Sequence, residues 1–141
     1  MPNWCYNIVY LKHDDPSQID RAENALIRGE FMSEFLPKEG EEDWYKWNTE
    51  NWGTKWDVIA ESVFFQGDIL VARYESAWAP PIIFYQYLLK CGFVIRALYY
   101  EPYQDFCGIF DNGEEEHYSS DRFEEIPFEL KREFVMDDFI F

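Results

Sequence analysis

Asp68-Ile69-Leu70-Val71-Ala72-Arg73-Tyr74-Glu75-Ser76-Ala77-Trp78-Ala79-Pro80-Pro81-Ile82-Ile83-Phe84-Tyr85-Gln86-Tyr87-Leu88-Leu89-Lys90-Cys91-Gly92 decides the fold. Residues 69–74 are aliphatic, β-branched and aromatic with Arg73 as the only charge, which is the signature of a strand. Glu75-Ser76-Ala77-Trp78 carries the chain to a corner. Ala79-Pro80-Pro81 then stops extended pairing, because proline has no N–H to give to a ladder. Its fixed φ suits Pro81 to the first position of a helix. Residues 82–91 form that helix, and Gly92 is placed to end it. Ile82, Phe84, Tyr85, Leu88 and Leu89 leave only a narrow polar stripe, so the helix is mostly covered. A strand running into a buried helix belongs at the centre of an α+β sandwich.

The flanking chain supplies the other elements. Trp4 to Leu11 reads as a first strand. Asp15 can cap a helix with Pro16 at its first position, Ile19, Ala22 and Leu26 recur at helical spacing, and Gly29 closes it. Residues 57–65 read as a second strand turning through Gln66-Gly67-Asp68 into the third. Residues 93–100 form a fourth, 105–110 a fifth, and Asp111-Asn112-Gly113 is a hairpin signal returning Glu114 to Tyr118 as an exposed edge. Pro127 can start a short helix through Phe134, and residues 135–141 are apolar enough to dock. Strand–helix–strand–strand–helix–strand is the split βαβ order of a ferredoxin-like sandwich, an antiparallel sheet with two helices on one face. The expected fold is therefore α+β, one ferredoxin-like domain over 1–141. It carries a Trp-rich insertion at 30–57, an extra C-terminal hairpin strand, a short C-terminal helix and an acidic extension at 119–141.

The insertion holds four tryptophans between Trp44 and Trp56. A disordered segment is depleted in such rings, so an ordered flap packed on the sheet is expected. Aromatic residues make up 21% of the chain, more than one core uses, and some of them should line a surface.

The net charge is −16, and residues 101–141 hold thirteen acids against three bases. That sign repels phosphate backbones and anionic membrane surfaces, so neither nucleic acid nor membrane is an expected partner. A basic protein is the natural complement; solubility alone also accounts for an acidic surface. The start of the sequence has no basic n-region or apolar h-region, and no apolar run approaches a membrane span, so a cytoplasmic protein is expected. Cys5, Cys91 and Cys107 have no CxxC or Cys/His spacing and read as reduced structural thiols.

Met1-Pro2-Asn3-Trp4-Cys5-Tyr6-Asn7 and Asn51-Trp52-Gly53-Thr54-Lys55-Trp56-Asp57 carry a more specific signal. With Ala77-Trp78-Ala79-Pro80-Pro81, Tyr100-Glu101-Pro102 and Phe106-Cys107-Gly108, they resemble a family of phage- and plasmid-encoded proteins with a ferredoxin-like domain, the Api-like prophage proteins. The resemblance spans roughly residues 1–118. It implies the ferredoxin-like fold, a mobile-element origin and a host cytoplasmic setting. It implies no catalytic residues.

Two candidate surfaces follow. In the 51–57 loop, Trp52 and Trp56 offer stacking faces while Thr54 and Lys55 offer donors, so a nucleotide could sit there. Alternatively both indoles pin the flap, and Lys55 pairs with Asp57. The second surface is the acidic C-terminal third: Glu114, Glu115, Glu116, Tyr118, Asp121, Glu124, Glu125 and Glu129 could present carboxylates to a basic partner, with rings as anchors. His13-Asp14-Asp15 reads as a helix start rather than a metal site. Glu114-Glu115-Glu116-His117 cannot all converge, because alternate strand side chains point to opposite faces. No catalytic group, metal or cofactor is expected. The expected function is non-catalytic binding: inhibition of a host defence nuclease complex, of CRISPR-Cas or restriction type, by occupying its basic nucleic-acid surface as a DNA mimic. The alternative is a nucleotide-binding or nucleotide-processing domain using the Trp-rich loop. A monomer or weak dimer is expected, since charge repulsion opposes a tight one.

Overall fold

In a computed structural model, residues 3–135 are described; residues 1–2 and 136–141, and the burial of the Ser120 side chain, lie outside that set. The docking expected of residues 136–141 therefore falls outside the described residues. Six strands form one antiparallel sheet: β1 (Trp4–Lys12), β2 (Ser62–Gln66), β3 (Ile69–Ala77), β4 (Val94–Glu101), β5 (Phe106–Asp111) and β6 (Glu114–Ser119). Their order is β2-β3-β1-β4-β5-β6. Among the described residues the α-helices are α1 (Pro16–Arg28), α2 (Phe31–Phe35), α3 (Trp44–Asn51), α4 (Ile82–Lys90) and α5 (Phe128–Glu133). A kinked 3-10 segment, Ser120–Glu125, joins β6 to α5.

The local signals act through their expected chemistry. The Asp15 carboxylate accepts from Ser17 N at 3.0 Å to start α1, and Gly29 closes it at φ 78°. His13 is consumed in the same corner: its Nδ1 accepts from Asp15 N at 2.9 Å, so its Nε2–H donates to Cys91 O at 2.9 Å. Asn112 and Gly113 both take positive φ, 53° and 110°, which gives a tight two-residue turn between β5 and β6. α4 begins one residue later than the sequence suggests, with Pro81 as the N-cap rather than the first helical residue.

The insertion is an ordered and partly helical segment. Residues 31–35 and 44–51 are helical, and residues 57–61 do not join β2, which begins at Ser62. Asp57 is instead drawn to α2: its carboxylate accepts from Met32 N at 2.7 Å and Ser33 N at 2.9 Å. These are donors that a helix start leaves unpaired.

The two faces of the sheet are covered by different segments. One face presents Val9, Leu11, Leu70, Ala72, Tyr74, Ile95, Ala97 and Phe110. α1 and α4 pack there, and so does the insertion, through Phe31, Met32, Phe35, Trp47 and Trp52. The insertion thus shares the helical face and does not lie on the opposite one. That opposite face presents Ile8, Val71, Leu98, Cys107 and Ile109, and the C-terminal segment covers it with Ile126 and Leu130, both buried, and Phe123 and Phe134. The amphipathic pattern of residues 126–134 is what makes this possible: Leu130 and Phe134 lie one turn apart on the side that meets the sheet.

Candidate functional site

α5 is fastened by charge as well as by apolar contact. Arg73 and Arg96 rise from β3 and β4 on the C-terminal face, with Tyr10 of β1 between them; Ile8 pairs with Arg73 and Tyr10 with Arg96. Glu133 meets Arg73 at 3.0 Å, and Glu129, one turn earlier, meets Arg96. Arg96 also reaches Asp111 at 2.8 Å. The hydrogen bond that Arg96 donates to Glu129, with the charges of Glu129 and Asp111, raises the Arg96 guanidinium above its ordinary value. Glu129 is thus committed inside the fold and is not an open carboxylate. A shallow groove of about 180 Å³ opens beside this pair, lined by Tyr6, Glu61, Arg73, Glu133, Phe134 and Val135.

The other acids of the C-terminal third are placed differently. β6 is the last strand of the sheet, and Glu114 to His117 are all exposed. Glu114, Glu116 and Glu124 make no ion pair with any described residue. Glu125 meets only Arg122, at 3.4 Å, with both side chains well exposed. Asp121 accepts from Ser119 Oγ. Tyr118 lies among them: burial raises its phenol pKa first, and the charges of Glu116 and Glu125 raise it further. β6 carries no basic side chain apart from His117. Glu114, Glu116, Tyr118, Glu124 and Glu125 therefore form an open acidic strip with one ring in it.

Glu115 belongs to a cluster that sequence reading missed. Glu115 and His117 point to the face opposite Glu114 and Glu116, where Tyr99 Oη donates to Glu115 Oε2 at 2.7 Å and lies 3.2 Å from His117 Nδ1. His117 stacks on Phe106 at 5.3 Å. Gly108 makes the cluster possible, since a Cβ there would lie 2.3 Å from Tyr99 Oη and 2.4 Å from Glu116 O. Burial, then Glu115, push the Tyr99 phenol well up, so it stays a donor. The signal was present: Tyr99 and Gly108 are paired across β4 and β5, and His117 lies opposite Gly108 on β6. Glu101 is a buried carboxylate, and it accepts from Tyr103 N and Gln104 N at 2.9 and 2.6 Å to hold the following turn.

The 51–57 motif divides into a buried part and an open part. Trp52 is buried, donates through Nε1 to Leu36 O at 2.9 Å and meets Trp47 edge-on. Thr54 is buried and donates to Ala77 O at 2.7 Å. Gly53, at φ 85°, brings the loop against Ile83 of α4. Asp57 serves α2, so the alternative pairing of Lys55 with Asp57 is not formed. Lys55 Nζ lies instead 4.5 Å from the Trp56 ring centroid and 5.7 Å from that of Tyr45. Trp56 in turn packs on Trp4 at 6.1 Å, and Tyr45 on Trp44 at 5.9 Å. Trp44, Tyr45 and Trp56 are exposed, so the open remainder of the motif is a chain of rings around one ammonium.

The three cysteines are free thiols. Burial pushes Cys107 up to about 11 and Cys5 higher still, which leaves both protonated and inert at neutral pH. Among the described residues, no three His, Cys, Asp or Glu side chains gather as a metal would need, and no helix is long and apolar enough to cross a membrane. No protein-family model, curated protein or solved structure matches the chain.

Proposed function

We infer that this chain is a binding protein whose working surface is the acidic strip of β6 and the 3-10 segment, and that its partner is basic. One observation carries the reading: the acids of α5 are neutralised by Arg73 and Arg96, whereas Glu114, Glu116 and Glu124 make no ion pair among the described residues. Carboxylates held on a rigid strand, with nothing to neutralise them, are stabilised by an incoming cation and repel one another until it arrives. A finer reading is that the partner is a nuclease complex of host defence, inhibited because its nucleic-acid surface is occupied. That reading is supported by the charge and by the resemblance to mobile-element proteins. The ferredoxin-like description is likewise supported by the β2-β3-β1-β4 order within the larger sheet.

The test is capture from host lysate at low and high salt, using the native chain and a variant with Glu114, Glu116, Glu124 and Glu125 changed to lysine. The reading predicts one basic protein retained by the native chain at low salt, released at high salt, absent from the variant, and inhibited on titration with the native chain. Equal retention by the two chains contradicts it.

A second reading rests on the exposed rings around Lys55. A planar ligand stacked on Trp56 would be lost with Trp56→Ala and unaffected by charge reversal on β6. Trp52 and Thr54, being buried, would act only by holding the loop.

A further inference from the structure

The inner side of β6 is fully used. From Glu114 to Ser119 every residue is paired with β5. The two-residue turn fixes which backbone groups this consumes: Asp111 and Glu114 close the hairpin as a hydrogen-bonded pair, and such pairs alternate along an antiparallel ladder. Glu114, Glu116 and Tyr118 therefore point their N–H and C=O groups at β5, and Glu115 and His117 point theirs outward. No described loop returns to cover that outer side with a backbone bond. The outcome is an exposed strand edge on which Glu115 and His117, ahead of the 3-10 segment that Ser119 caps, offer two outward donors and two outward acceptors.

Such an edge is a template for another strand, and the side chains decide which strand it accepts. A second copy of this chain is disfavoured, because β6 paired with β6 sets glutamate against glutamate. The opposite edge, β2, exposes Phe64 and Phe65 and carries no acid, so a cationic strand has no reason to choose it. On β6 both faces present carboxylate: Glu114 and Glu116 on one, Glu115 on the other. A strand laid alongside can thus place consecutive lysines or arginines, one on each face, opposite an acid.

Resting on the acidic-partner reading, we propose that β6 takes an extended lysine- or arginine-rich segment of the partner as a seventh strand. The backbone groups of Glu115 and His117 supply the bonds, and Glu114, Glu115 and Glu116 supply the charge match. The partner segment is about as long as β6 itself, six residues.

The probe is a lysine hexapeptide compared with its fully N-methylated counterpart, which keeps every charge and loses every backbone donor. Affinity is read by calorimetry, and the Glu115 and His117 amides by hydrogen exchange. The proposal expects the N-methylated peptide to bind about ten-fold more weakly or worse, from two lost backbone bonds. It also expects both amides to slow their exchange on binding the unmodified peptide. Equal binding of the two peptides, or unchanged exchange at both amides, overturns strand addition and leaves the acidic-partner reading standing. No binding of either peptide overturns both.

Discussion

The two faces of the sheet are closed by different physics. On the helical face, Phe31, Phe35 and Phe84 meet within 5.2–6.5 Å of one another, and α1, α4 and the insertion enclose them. On the C-terminal face a shorter segment does the covering, with Leu130 at its centre and two ion pairs beside it. Hydrophobic burial is non-directional and scales with the apolar area covered; the ion pairs need Glu129 and Glu133 one helical turn apart, over Arg73 and Arg96. The comparison shows which acids the fold uses. Those of α5, and Glu115 through Tyr99, belong to the structure; Glu114 and Glu116 on the other face of β6 do not.

The largest effect tests the first face. Phe84→Ala should cost about 3–5 kcal/mol, read as a shifted denaturant midpoint, because the rings around it cannot close the space. Leu130→Ala should cost less, about 2–3 kcal/mol, and should expose the amides of α5 to exchange well before those of β1. If Leu130→Ala matched Phe84→Ala and unfolded the sheet, the faces would be one cooperative unit and the contrast would fail.

Asp57→Ala should cost about 1–3 kcal/mol in thermal unfolding, since it strips two N–H groups of α2 of their acceptor. Gly108→Ala should cost about 1–3 kcal/mol by forcing Tyr99 or β6 aside, with the hydrogen-exchange loss confined to β5 and β6. Damage spread evenly over the sheet would contradict the close approach at Gly108.

The smallest effect is in the acid limb. The Arg21 hydrogen bond, then the Arg21 and Arg28 charges, hold Glu34 below the ordinary carboxylate range. A lowered folded pKa stabilises above the unfolded value of about 4.3, and that contribution is lost as pH falls through the folded value. Glu34→Gln should therefore lower the thermal midpoint at neutral pH and converge with the native chain in acid. A constant difference from neutral pH down to acid would contradict the linkage.

Much of this was legible in the residues. Asp15-Pro16 restricts the backbone, whereas Gly29, Gly92 and Asn112-Gly113 reach the positive φ that other residues avoid, so each marked an end or a turn. The helices of the insertion were not legible. α2 is five residues long and depends on Asp57, more than twenty positions away, while the rings of α3 do not keep one face. The cover of the second face left a trace: Arg73 and Arg96 are lone charges inside apolar strands, and Glu129 and Glu133 are spaced to meet them. At the candidate surface, the exposed edge of β6 followed from the hairpin signal. The burial of Trp52 and Thr54 did not, because tryptophan and threonine serve equally well in a core contact and at a ligand.

The central contrast is tested most directly with two glutamine variants, one changing Glu114, Glu116 and Glu124 and the other Glu129 and Glu133. Thermal midpoint and affinity for the lysine hexapeptide are measured on each. The account predicts a crossing: the first variant loses affinity while its midpoint holds or rises, and the second loses midpoint while its affinity holds. A first variant that melts early, or a second that loses affinity as much as the first, would contradict it.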